Sequence, residues 1–504
     1  MKLPLSLAVP IVVLLVIAIL NLWIFGRFTV DDAFITWRYG RNLVEHGIWG
    51  YNPSGFDLTQ AYTNPIHAAA SILPAAFGWD MVLSFKLLSL AVLAGVAALV
   101  LRQCENKPRM VLILAMIAAI PASIAHAVSG LETVLYGGAL GLFFIAQERG
   151  RWGAALAAVV VLVLTRPEAW LLFALYPGVL IAAHLWPADP RRRPGRALVM
   201  GQTALLGAVA AGYFGFHLSQ FGEVVPNTYF IKSDDGITLA QAQAILPYVA
   251  PALVVLAVGN RRTGLLLLLY FGVVGYRYAS SDLLMNYLQR FPFQIVLPMT
   301  LYLGWAVSRR ALGGAPGIAV LGIALYLGGY ALHTRGLGDH LGIANYYPRL
   351  LNSHVLLGRT LHDLADEGRI SGFALGDAGA PAYHAGIRAL DMIGLASRMV
   401  AREGLTPEVV AAYAPDVVAF FATEDGIRDL PDRHAALWAY VAETGMQERC
   451  EIYWARHYTL RLFTRVPLPA LDAACAQSRA ANGADELAFA LGHLARPPWA
   501  FWHE

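Results

Sequence analysis

Charge is scarce in this chain: 14% of its 504 residues are Asp, Glu, Lys or Arg, while 57% are hydrophobic. Ordinary globular domains carry about 25% charged residues, so this composition excludes a string of soluble domains. It reads as a polytopic membrane protein with no nucleic-acid partner. Cysteine is scarcer still, at three residues, and no cysteine or histidine group has the spacing of a zinc site. The glycine-rich turn GDAG at 376–379 lacks the G-x-G-x-x-G spacing of a dinucleotide site. The apolar start, MKLPLSLAVPIVVLLVIAILNLWIF, is followed by no small-residue cleavage site, so it is expected to stay as a membrane anchor. No internal repeat is evident.

What the chain has is a succession of apolar runs. After the first they recur near 81–101, 110–127, 131–147, 152–165, 168–186, 197–216, 240–258, 263–275, 291–308 and 315–333, which predicts about eleven spans. Alternate connections carry arginine: Arg102 and Arg109, Arg149 and Arg151, Arg191 to Arg193 with Arg196, Arg261 and Arg262, Arg309 and Arg310. The positive-inside rule puts these in the cytoplasm. The remaining connections then face outward, with the tail from about 335 to 504. That tail reads as a small α/β domain: FALGDAGAPAYHAGIRALDMIGL predicts strand, turn, short helix and strand, and PDVVAFFA a third strand after the helix-like TPEVVAAY. The expected organisation is a membrane domain over 1–334, with its first outer loop at about 26–80, and an outer domain over 335–504. Cys450 and Cys475 share that outer domain, where an oxidising compartment permits a disulfide, while Cys104 falls in a cytoplasmic loop.

The first outer loop begins FTVDDAFITWRYGRN, with Asp31 and Asp32 side by side. One acid suffices to cap the helix that follows. Ile35, Tyr39 and Leu43 recur every four residues and predict an apolar face, hence a helix lying in the membrane interface. Arg38 and Asn42 form a polar face turned toward the same region as Asp31. Anchoring to anionic lipid would favour lysines here, so at least one of the acids is read as functional.

Other outward loops bring cations to span ends. LTRPEAW supplies Arg166 and Glu168, PNTYFIKS supplies Asn227, Tyr229 and Lys232, and MNYLQRFPF supplies Tyr287 and Arg290. A single such cation is ordinarily a snorkelling side chain. One from each of three outer loops suits convergence on a phosphate. Nucleotide-activated donors belong to the cytoplasm, so an outward site of this kind points to a lipid-carried phosphate donor. A carboxylate can take the proton of an acceptor hydroxyl as the phosphate leaves, with cations stabilising the leaving charge.

In order along the chain, DDAFITWRYGRNLVEHGIWGYNPSG, QAYTNPIHA, SGLETVLYGGAL, LTRPEAWLL, VVPNTYFIKS, YLQRFPFQIVLP and LGDAGAPAYHAGIRALDMIGLA resemble GT-C membrane glycosyltransferases. The nearest group is the arabinofuranosyltransferase-like set that includes the mycobacterial terminal β-arabinofuranosyltransferases. The resemblance runs from about residue 28 to about 422. It implies a GT-C bundle with interfacial helices and a periplasmic α/β domain in a bacterial inner membrane. It also implies a polyprenyl-phosphate sugar donor, a glycan or protein acceptor, and Asp31 or Asp32 as general base. By the same resemblance Tyr62, Asn64, Glu132, Arg166, Glu168, Asn227 and Lys232 fall near the donor pocket, and Arg38, Tyr229 and Arg290 join the candidate substrate-binding set. The chain departs from the family at TQAYT and at YASSDLL, where Asp282 stands in for an expected acid. Asp377, Gly379, Asp391 and Gly394 match in the outer domain. A divalent cation is compatible with the acids and not required, since relatives differ and adjacent carboxylates do not share a helix face. The alternatives are mannose or another pentose as the sugar moved, or a transporter or flippase of lipid-linked sugar. A transporter would place ionisable residues in mid-span and in both halves of a repeat.

Overall fold

The computed structural model describes residues 4–503 except 188, 232–237, 259, 282–284, 310–315, 335 and 430. Every apolar run is helical, as expected where no water is present to satisfy backbone groups. In order these are α1 (Leu5–Phe25), then three helices of the first long loop, α2 (Asp31–His46), α3 (Pro65–Ala70) and α4 (Ile72–Phe77). Next come α5 (Met81–Leu101), α6 (Lys107–Ala118), α7 (Pro121–Val128), α8 (Thr133–Glu148), α9 (Trp152–Val163), α10 (Ala169–Leu185) and α11 (Arg196–Phe221). After the short α12 (Thr228–Ile231) follow α13 (Leu239–Val249), α14 (Pro251–Val258), α15 (Arg261–Ser280), α16 (Arg290–Ser308) and α17 (Pro316–His333).

Among the described residues, four helices are long and apolar enough to cross a membrane, or six when each of two bent pairs counts as one span. The expected count of eleven is not reached by that criterion, because α8, α9 and α10 have only 16, 12 and 17 residues. One bent pair is α6 with α7, at 77°; Pro121 opens the second helix and cannot donate to the first. Leu5, Val12 and Ile19 of α1 are exposed at 80%, 58% and 65%, as suits a face turned to lipid rather than water. In the interior α8 lies against α16: a Cβ on Gly137 would sit 2.8 Å from Leu297 and one on Gly141 3.0 Å from Leu301. Small residues there let the two backbones approach. The arginine-bearing loops meet at one end of the bundle, where Arg149, Arg109 and Arg192 donate to the carbonyls of Gln103, Val307 and Glu148.

Beyond α17 the chain bends into α18 (Leu337–Leu350), passes through a π-helical turn at Leu351–Val355 and continues as α19 (Leu356–Asp366). The strands follow: β1 (Gly372–Leu375), β2 (Arg388–Asp391), β3 (Val417–Thr423), β4 (Gly426–Ile427), β5 (Gln447–Ala455) and β6 (Tyr458–Thr464). The sheet order is β2-β1-β3-β6-β5, with β4 paired to β3; β1 is parallel to β2 and β3, and the other pairs are antiparallel. Side chains alternate between two cores, as a period of two requires. Phe373, Leu375, Val417 and Ala419 enter one, and Ala374, Val418 and Phe420 the other. The expected strand, turn, helix and strand over 373–391 are present, with α20 (Ala380–Ala385) between the strands. Around the sheet lie α21 (Arg398–Glu403), α22 (Pro407–Tyr413), α23 (Pro431–Glu443), α24 (Pro469–Asn482) and α25 (Glu486–Leu494). Cys450 on β5 and Cys475 on α24 form a disulfide, and Cys104 is free and buried.

The apolar face of α2 is covered by the chain itself. Asp31, residues 33–40 and Asn42 are all buried. Ala33, Phe34 and Trp37 enter the core of the bundle with Val82 and Phe85, while Ile35 and Tyr39 enter the sheet-side core with Leu357, Leu361 and Phe373. The stripe at every fourth residue is real, but it faces the sheet rather than lipid. The helix is the spacer between the two halves of the molecule.

Candidate active site

Asp31 is the first residue of α2, whose own N-cap position is Val30 and carries no side-chain cap. The carboxylate reaches outward instead. Its two oxygens accept the backbone N–H groups of Gly379 at 3.0 Å and Ala380 at 2.7 Å, so it caps α20 from another part of the chain. Gly379 is glycine because of this approach: a Cβ there would lie 2.2 Å from both the backbone and side-chain oxygens of Asp31. Burial pushes the Asp31 carboxyl above its ordinary range, and the charge of Asp377 adds to the shift.

Asp377 stands in the turn after β1. One of its oxygens, Oδ2, is held by His354 Nε2 at 2.9 Å and by the hydroxyl of Tyr458. Burial alone would raise this acid, but the histidine's hydrogen bond and charge, with the tyrosine's donation, hold it below the usual value. Asp31, Tyr287, Tyr346, His354, Asp377 and Tyr458 are among the residues lining a cavity of about 540 Å³ between bundle and sheet. Asp32 lies one residue on, about 100° round the helix. It interacts electrostatically with Tyr287, Tyr346 and Arg290.

A second polar cluster lies nearby in the bundle. Glu132, at the N-cap of α8, accepts Arg166 Nη1 on one oxygen at 2.5 Å and the Asn64 amide on the other at 2.7 Å. Arg166 also donates to both oxygens of Glu168, at 3.0 and 2.8 Å. Thr36 of α2 donates to Asn64 at 3.0 Å. The Arg166 guanidinium thus supplies the buried counter-charge to Glu132. Arg290 stacks over Phe291 at 4.7 Å, and its buried Nε has no hydrogen-bond partner among the described residues.

The sequence-derived residues therefore separate. Asn64, Glu132, Arg166 and Glu168 come together with Arg290 close by, and Asp31 joins residues of the sheet. Arg38 donates to the carbonyl of Ile387 at 2.5 Å and stacks over Tyr51. Asn227 donates to the carbonyls of Gly394, Leu395 and Ser397. The hydroxyl of Tyr62 accepts from Trp49 at 3.0 Å. Tyr229 is 65% exposed. Lys232 and Asp282 lie outside the described residues. His354 and Tyr458 were not foreseen; the strand-and-turn pattern around Asp377 was the available signal for the cluster they form. Among the described residues no group of three or more His, Cys, Asp or Glu is arranged to hold a metal ion.

The fold is shared with two solved structures. These are crystal structures of ArnT from Cupriavidus metallidurans, one bound to undecaprenyl phosphate and one in the apo state. Each superposes with a TM-score of 0.51 at 14% identity over 91% of this chain, covering 98% and 97% of the other. At that identity the likeness establishes fold alone. A family model described as a domain of unknown function (DUF8728) matches residues 348–463, a stretch that contains His354, Asp377 and Tyr458. No curated protein matches the chain.

Proposed function

We propose that the protein is a membrane glycosyltransferase that moves a sugar, arabinofuranose first, with mannose or another pentose as the alternative, from polyprenyl phosphate to a hydroxyl of a glycan or protein acceptor. The observation that carries this reading is the shared fold with ArnT, which was crystallised with undecaprenyl phosphate. The acids opening α2 beside a cavity supply the chemistry. The acceptor hydroxyl gives its proton to Asp31 or Asp32, its oxygen attacks the anomeric carbon, and the bond from that carbon to the phosphate oxygen breaks. Arg166 is fully engaged by Glu132 and Glu168, so Arg290, with its unpartnered Nε, is the better placed guanidinium to meet the phosphate. In this reading residues 1–334 form the membrane part and 335–504 the outer domain, and the site faces the periplasm of a bacterial inner membrane.

The test is a donor assay on protein in lipid, following sugar loss from polyprenyl-phosphate arabinofuranose and polyprenyl-phosphate mannose with a mixed acceptor extract, with and without chelator. Consumption of one donor, lost in Asp31→Asn or Asp32→Asn, supports the transferase and names its sugar. Folded, lipid-binding protein that consumes neither donor overturns the reading of donor and sugar.

A further inference from the structure

We infer that Asp377, carried into the cavity by the turn after β1, binds the acceptor there through a hydroxyl other than the one that attacks, with His354 and Tyr458 as its positioning residues. The inference rests on the transferase reading and adds a residue group from the sheet to it. Asp31 lines the same cavity, yet both of its oxygens already accept backbone N–H groups. Glu486, another lining acid, is engaged by Arg349 at 2.9 Å and Asn345 at 2.6 Å. Asp377 is different: Oδ2 takes both His354 and Tyr458, while Oδ1 accepts no hydrogen bond among the described residues. Its side chain is 20% exposed. A carboxylate with one oxygen pinned and the other turned to open space is preorganised to accept a hydrogen bond from a hydroxyl.

The pinning is itself supported. His354 Nδ1 meets Ser353 Oγ at 3.0 Å, and the imidazole packs edge-on against Trp454 with ring centres 5.0 Å apart. Trp454 packs in turn on Tyr346, another wall of the cavity. His354 also sits in the π-helical turn between α18 and α19. Such a turn re-aims a side chain relative to a continuous α-helix and recurs at functional sites. Two separated pieces of chain thus converge on one oxygen of Asp377 and leave its partner for a ligand.

The experiment uses the full chain in lipid and measures acceptor KM, kcat, donor affinity and thermal midpoint for Asp377→Asn, His354→Ala, His354→Gln and Tyr458→Phe. Loss of a hydrogen bond to a charged group predicts a rise in acceptor KM of about tenfold to a hundredfold for Asp377→Asn, with donor affinity unchanged. His354→Ala and Tyr458→Phe should raise it less, and His354→Gln, whose amide can still donate, should recover most of the loss. Unchanged acceptor KM in Asp377→Asn overturns the inference. So does a parallel loss of donor affinity, acceptor affinity and thermal midpoint, which marks a merely structural cluster. Wild-type protein that consumes no donor is a separate result: it fells the transferase reading first and this inference with it.

Discussion

Two acidic clusters flank the same helix, and they are built in opposite ways. On the bundle side, both oxygens of Glu132 and all three nitrogens of the Arg166 guanidinium are engaged within the chain. On the sheet side, Asp31 and Asp377 line a cavity, and Asp377 keeps an oxygen to spare. A buried network with every member satisfied fixes geometry, because any rearrangement strands a charge. An acid whose hydrogen bonding is incomplete beside open space is a place where a ligand group fits. The closed cluster ties the first long loop, through Thr36 and Asn64, to α8 and the connection before α10.

The largest effect expected is on the open side. Replacing the acid that serves as base by asparagine should cut turnover by roughly 10²–10⁴ while leaving folding intact. A pH profile sharpens the assignment. The base must be ionised, so turnover falls as pH drops through its pKa. If Asp31 is the base, its raised value puts that acid limb above the ordinary carboxylate range near 4, and Asp31→Asn, measured on whatever activity remains, should abolish the limb. In stability the sign is reversed. Folded Asp31 binds its proton more tightly than the unfolded chain does, so its contribution is present at low pH and is lost as pH rises from the ordinary carboxylate range through the raised value. A limb that persists unchanged in Asp31→Asn assigns the base elsewhere.

Next in size is the closed cluster. Arg166→Ala leaves Glu132 and Glu168 buried without their counter-charge and should destabilise by roughly 3–5 kcal/mol, read from thermal or denaturant unfolding in detergent. A loss well under 1 kcal/mol would mean that water or lipid already satisfies those acids. Smaller again is the disulfide. Cys450→Ser with Cys475→Ser opens a loop of 25 residues and should cost about 3 kcal/mol on the chain-entropy account. Because β5 and α24 lie on the sheet side, the loss should appear in the sheet half while α8 and α16 keep their protection from hydrogen exchange.

Much of this arrangement was legible beforehand, for identifiable reasons. Apolar runs mark helices whatever packs on them, and the short strand, turn, helix and strand around Asp377 is a local pattern. The companions Asn64, Glu132, Arg166 and Glu168 were all singled out, since polar residues at the ends of apolar runs are conspicuous. What escaped notice depends on contacts distant in sequence. His354 and Tyr458 lie 23 and 81 residues from Asp377, and no periodicity reports that they meet on one oxygen. The β5-β6 hairpin was not foreseen either. The stripe of Ile35 and Tyr39 reads the same whether lipid or a sheet covers it, so the sequence did not show that α2 is buried between two cores.

Arg38 and Asn227 show the same ambiguity at single residues, and Asn227 permits the finest test. A polar side chain near a membrane boundary can donate to a substrate phosphate or to a backbone carbonyl, and the sequence signal is identical. Here the Asn227 amide is directed at the carbonyls of Gly394, Leu395 and Ser397, and its own backbone N–H donates to Gln60. It therefore links the segment after α11 to the sheet and to the first long loop together. Asn227→Ala should cost about 1–2 kcal/mol of stability, the penalty for leaving buried carbonyls underused, with donor affinity unchanged. A donor affinity that falls while the thermal midpoint stays put would move Asn227 back into the substrate site, and the division between residues that hold the two halves together and residues that meet the substrate would have to be redrawn.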